Sequence, residues 1–138
     1  MKKIVGFLAL LVFISCKQTI TDADVQHING YWEIEKVILP DGDKKEYKVN
    51  ETIDFFKIEN KKGFRKKVMP QIDGTYLTND IQEDVLVVFK NGAALLQYKT
   101  TYASWKEEII ALTKDKLVIK NQQDLEYHYK RPIKFSMK

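Results

Sequence analysis

From Tyr31 onward the chain alternates short apolar runs with turn-forming residues, a pattern of β-strands rather than helices. "YWEIEKVIL" is rich in aromatic and β-branched positions and stops at Pro40-Asp41-Gly42. "YKVNETIDFFKI" reads as a longer strand with a break near Asn50. "NKKG" turns the chain into "FRKKVM", which Pro70 stops, and Asp73-Gly74 leads into "TYLTN". "DVLVVFK" and "ALLQYKT" flank Asn91-Gly92, a strong hairpin signal because both residues tolerate positive φ. "SWKEEIIAL", "KLVIK" and "LEYHYKR" follow, separated by turns at Thr113–Asp115 and Asn121–Asp124. The pieces number eight or nine, with short connections, so neighbours in sequence are expected to pair antiparallel. A single short helix is predicted near Asp22–Asn29, capped by Thr21 and stopped by Gly30.

Alternation within the strands is partial. Leu125, Tyr127 and Tyr129 share one face, and Glu126, His128 and Lys130 the other. Trp32, Ile34 and Ile38 fall on one face, interrupted by Lys36. "DVLVVF" and "FF" place apolar groups on both faces. An all-β meander of this size closes into a barrel or splits into a sandwich, and alternation alone does not choose between them.

The first residues follow different rules. Lys2 and Lys3 precede the uncharged apolar run Ile4 to Ile14, which is short for a membrane span and suited to a signal peptide. Ser15 follows, then Cys16, the one cysteine of the chain. "FISC" resembles the lipobox of bacterial lipoproteins, with Phe13 where Leu is usual. The resemblance implies cleavage before Cys16 and its modification with diacylglycerol and palmitate-type acyl chains. The expected organisation is a leader over residues 1–15, a lipidated tether with a short helix over 16–28, and one β-domain over 29–138. With Cys16 so used, no thiol is left for a disulfide, a nucleophile or zinc.

Charge narrows the partners. The net charge is +4, and removal of Lys2 and Lys3 with the leader leaves +2, too little for a nucleic-acid binder. The basic residues concentrate instead: Lys57, Lys61, Lys62, Arg65, Lys66 and Lys67 surround Gly63, with Phe64 among them. On a hairpin they make a positive surface patch for phosphate, an anionic glycolipid or a membrane, or they blunt an exposed edge.

Reaction chemistry finds little support. His27 and His128 are the histidines; Glu126 and His128 lie two apart on one strand face, without a third metal ligand. Ser104 and Ser136 lie outside any nucleophile-elbow pattern. Glu107 and Glu108 point to opposite faces of one strand, so they cannot converge on one substrate. Glu107 shares its face with Trp105, Ile109 and Ala111, so it is a candidate to point inward and meet an inward Lys or Arg. No metal, cofactor or catalytic residue is assigned, and the chain is not expected to be an enzyme. Aromatics fill small β-cores or line ligand cavities; Phe56, Tyr98, Trp105, Tyr127 and Tyr129 are the lining candidates.

Gly30-Tyr31-Trp32 opens the first strand after the predicted helix. G-x-W in that setting resembles the lipocalin superfamily. "SWKEEIIALTKDKLVIKNQQDLEYHYKR" is similar to the lipocalin-like domains of bacterial lipoproteins. The resemblance implies a small up-and-down barrel whose tryptophan, Trp32, closes one end under a basic residue from the last strand. Lys130 and Arg131 are both placed for this, and Arg131 is preferred because guanidinium stacks better on indole. It also implies a monomeric envelope protein held to the outer membrane by Cys16, facing the periplasm. Its function would be binding a small hydrophobic or amphipathic molecule. The alternative is a filled barrel that binds an envelope partner through its surface and basic hairpin.

Overall fold

The computed structural model describes residues 18–48 and 50–133. The expected leader, residues 1–15, and Cys16 lie outside the described residues. Ten strands form one sheet: β1 (Gly30–Ile38), β2 (Lys44–Glu46), β3 (Ile53–Glu59), β4 (Lys62–Pro70), β5 (Tyr76–Thr78), β6 (Glu83–Lys90), β7 (Ala93–Lys99), β8 (Ser104–Leu112), β9 (Lys116–Lys120) and β10 (Glu126–Lys130). Eight of them, all but β2 and β5, run in order round an antiparallel barrel, which β10 closes by pairing with β1. The barrel reading is therefore correct and the sandwich is excluded. Only the second half of "YKVNETIDFFKI" is strand, from Ile53; β2 ends at Glu46, before the segment begins, which corrects the longer strand expected there. Both β2 and β5 are short flanking additions to β1 and β4.

Two bulges explain the imperfect alternation. Between Ile34 and Lys36 the pairing of β1 with β10 shifts by one residue. A bulge reverses the facing of everything beyond it. Val37 consequently turns inward opposite Tyr127, while Lys36 and Ile38 face out, which corrects the placing of Ile38 beside Trp32. A second shift between Ile109 and Ala111 sends Leu112 inward and Ala111 outward. Inside are Trp32, Phe56, Leu96, Tyr98, Ile109, Leu112, Leu117 and Ile119, all at most 1% exposed. The second apolar face of "FF" is also covered: Phe55 lies against Tyr31 and Phe64 outside the barrel, and Tyr76 stacks on Tyr31 at 3.9 Å.

The turns β3–β4, β6–β7 and β8–β9 mark the lower end, and β7–β8 and β9–β10 mark the upper one. A helical turn, α1 (Asp22–Val25), and a 3-10 turn (Gln26–Ile28) plug the lower end. Thr21 caps α1 and exchanges hydrogen bonds with Asp24, as Ser/Thr N-caps do. Ile20, Val25 and Ile28 enter the core. Gln18 extends the plug: its backbone N–H donates to Ile110 and its side chain both donates to and accepts from the Leu112 backbone. The segment after Cys16 is thus part of the barrel from Gln18 onward.

Candidate functional site

The lower end is sealed by the residues singled out in the sequence. Trp32 is fully buried and its indole N–H donates to the Ile28 carbonyl at 2.7 Å. Arg131 lies with its guanidinium carbon 3.6 Å from the Trp32 ring centroid. Its nitrogens donate to the carbonyls of His27, Tyr31 and Lys114, tying helix, first strand and β8–β9 turn together. Burial lowers the Arg131 pKa, against the nearby Asp115 carboxylate. Gly30 has φ +105° and any Cβ there would come within 3.1 Å of Arg131. Glycine is needed for both reasons, backbone angle and close approach.

The upper half of the interior holds charge. Arg65 faces inward from β4, and its Nε and Nη2 each donate to Glu83 at 2.8 Å. Its Nη1 donates to Glu107 at 3.4 Å. The guanidinium lies 4.2 Å from the Tyr98 ring centroid and 5.9 Å from that of Phe56. Arg65 and Glu107 side chains are each 11% exposed. This corrects the placing of Arg65 in the surface patch. The same contact answers the expectation for Glu107, which points inward and meets a basic residue.

Gly63 lets β4 adopt this register. It is a strand residue opposite Ile58, not the turn, and a Cβ would sit 1.8 Å from the Lys57 carbonyl oxygen. Asn60 and Lys61 make the turn with positive φ. Positions 63, 65 and 67 then face the interior by the period of two. Lys67 reaches from the barrel rim to Asp54, which is only 3% exposed.

Three carboxylates, Asp54, Glu83 and Glu107, therefore share the interior with one cation, Arg65, while the exposed Lys67 reaches Asp54 from the rim. Burial works against the Arg65 charge, but Tyr98, Glu83 and Asp54 hold it protonated, above the usual arginine range. Burial pushes the Glu107 carboxyl up, and Arg65 and the Tyr98 hydroxyl only partly offset this. Burial also pushes the Tyr98 and Tyr129 phenols well up; their hydroxyls face Glu107 and Asp54 respectively.

The five lining candidates divide. Phe56, Tyr98 and Tyr129 are core residues around Arg65. Trp105 stacks on Tyr98 at 5.4 Å and remains partly exposed. Tyr127 is also partly exposed, with its hydroxyl accepting from Asn121 at 3.2 Å. Trp105, two residues above Glu107 on β8, and Tyr127, two above Tyr129 on β10, are thus the lining candidates that reach the surface at the upper end. A groove of about 610 Å³ runs over β4, β6, β7 and β8, lined by Tyr98 and Trp105 together with Lys62, Asp84, Leu86 and Lys106.

The remaining basic residues do lie on the surface. Lys57, Lys61 and Lys62 are exposed, with Lys61 near Asp22 at 3.5 Å and Lys66 over the Phe64 ring. His128 pairs with Glu126 at 2.9 Å. Among the described residues no three His, Cys, Asp or Glu side chains come together as a metal site. His27 contributes its carbonyl to Arg131, a role no side-chain motif signals.

No curated protein matches the chain. Among solved structures it is similar to a crystal structure of a lipocalin-like protein from Bacteroides uniformis ATCC 8492. The identity is 9%, the TM-score 0.48, and the alignment covers 77% of this chain and 99% of that one. The family model described as a lipocalin-like domain matches residues 28–119, from the end of the plug to β9. That span is well over half of the chain, and the chain belongs to the lipocalin-like domain family.

Proposed function

We propose that the protein is a lipid-anchored binding protein, not an enzyme, which takes a small amphipathic molecule at the upper mouth of its barrel. The observation that carries this reading is the Arg65–Glu83–Glu107 cluster, set under the partly exposed Trp105 and Tyr127. Burying charges adds little stability compared with an apolar core of the same volume. Their place beneath an aromatic mouth suits recognition of a polar head, with the apolar part of the ligand against the rings. The lower barrel is filled by Phe56, Leu96, Ile109, Leu117 and Ile119, so the ligand is short and its head matters.

Native mass spectrometry of the extracted protein tests this. The expected result is a co-purifying small molecule, bound at least about tenfold more weakly by Trp105→Ala, the equivalent of about 1.4 kcal/mol. A bare mass in both proteins, before and after incubation with cell-envelope lipid extract, would count against a binder. It would favour the second reading, a filled barrel that meets a partner through its surface. Exposed Met69, Ile72, Leu77 and Ile81 around β5 support that alternative.

Anchoring rests on the apolar leader and Cys16. Several acyl chains together hold a protein firmly, at about 0.8 kcal/mol per buried methylene. Cys16→Ala should move the protein from the membrane to the soluble fraction, measured by fractionation and immunoblot. Full retention of the variant on membranes would remove lipidation from the account. The proposed location is the outer membrane, facing the periplasm.

A further inference from the structure

We propose that the plugged lower end of the barrel is its membrane-facing surface, resting on the lipid headgroups, and that the mouth opens away from the bilayer. The inference rests on the anchoring at Cys16 and adds a direction to it.

The length of free chain decides the orientation. Gln18 is already bonded to the backbone of Ile110 and Leu112, at the lower end of β8. Ile20 follows, buried in the core. One residue, Lys17, separates Gln18 from Cys16, and two Cα–Cα steps span at most about 7.6 Å. The acyl chains are thus held within one short step of the lower rim. β8 has nine residues. At about 3.3 Å per residue and a tilt of about 40°, the upper rim lies roughly 23 Å further on. A tether of this length cannot turn the mouth onto the membrane without stripping Gln18 and Ile20 from the barrel.

The chemistry of the two ends agrees. The lower turns carry exposed Lys61, Lys90, Lys114 and Lys116 with exposed Asp22 and Asp115 between them. A mixed polar rim suits contact with zwitterionic and anionic headgroups, not insertion among acyl chains. At the upper end Tyr102 is 97% exposed, on the β7–β8 turn. The orientation has a consequence for the cargo. The ligand reaches the mouth from the aqueous compartment, or from a facing partner, and is not drawn directly from the anchoring leaflet.

The test uses full-length acylated protein in vesicles of phosphatidylethanolamine and phosphatidylglycerol. A thioether-blocked Cys16 does not react with maleimide, so Lys90→Cys and Tyr102→Cys can each carry one fluorophore. Headgroup-quencher lipids should quench the label at position 90 several-fold more than the label at 102. Inserting about twelve Gly/Ser residues after Cys16, with a span of roughly 20 Å, should largely abolish the difference. Acyl mass on Cys16 with equal or stronger quenching at 102 would overturn the orientation alone. Absence of acyl mass would overturn the anchoring and the orientation with it.

Discussion

Trp32→Ala should lose about 3–5 kcal/mol of folding stability, the range for deleting a fully buried aromatic ring. For a domain of this size that lowers the melting temperature by on the order of 10–20 °C. The loss has two parts. The vacated space lies between Ile28 and the barrel floor and is closed in by the plug. The Arg131 guanidinium also loses the ring it stacks on, while its three carbonyl partners stay in place. Arg131→Met should therefore be milder than Trp32→Ala. A double-mutant cycle should give a coupling of about 1 kcal/mol, the worth of a cation–π contact whose cation is only partly buried. Thermal denaturation followed by circular dichroism measures all three. A Trp32→Ala midpoint equal to that of the unsubstituted protein would show that Trp32 carries no closure.

The closure was legible because its parts stand at strand ends with distinct chemistry. Gly30 and Trp32 start β1, and Arg131 directly follows β10. Two strands that close a barrel bring such ends together without any further information. Glu107 was legible for a related reason, as the one charged residue on the face of Trp105 and Ile109.

Its partner was not legible. Arg65 sits in a run of five basic residues among seven, Lys61 to Lys67, in which no apolar residue marks the inward positions. The register depends on Gly63 packing under the Lys57 carbonyl, a long-range fit that alternation cannot report. Gly63 was available as a signal: a glycine inside a strand often marks a close backbone approach. The bulges at Glu35 and Ile110 were hidden similarly, because each inserts one residue with no turn signal. The docking of Gln18 left no pattern at all, since a polar residue bonded to backbone looks in sequence like a tether.

Arg65→Met should cost about 3–5 kcal/mol at neutral pH, although methionine fills much of the same volume, because it strips two buried carboxylates of their counter-charge. The loss should depend on pH in a defined direction. Burial already holds the Glu107 pKa above its ordinary value, and Arg65 opposes that rise. With Arg65 gone, the folded-state pKa climbs further above the unfolded one. Between those two values the folded state binds more protons than the unfolded state, so stability falls as pH rises through the window. The variant should therefore lie closest to the unsubstituted protein in mild acid, near about pH 5, and furthest from it near about pH 8. Adding Glu107→Gln should recover part of the loss at the higher pH, since an amide has no charge to leave unpaired. Urea unfolding at the two pH values measures each difference. A penalty of equal size at both would show that Arg65 acts through packing against Tyr98 and Phe56 alone. If the charge balance also serves binding, Arg65→Met should lose the ligand at either pH, including the acid range where its fold is least affected.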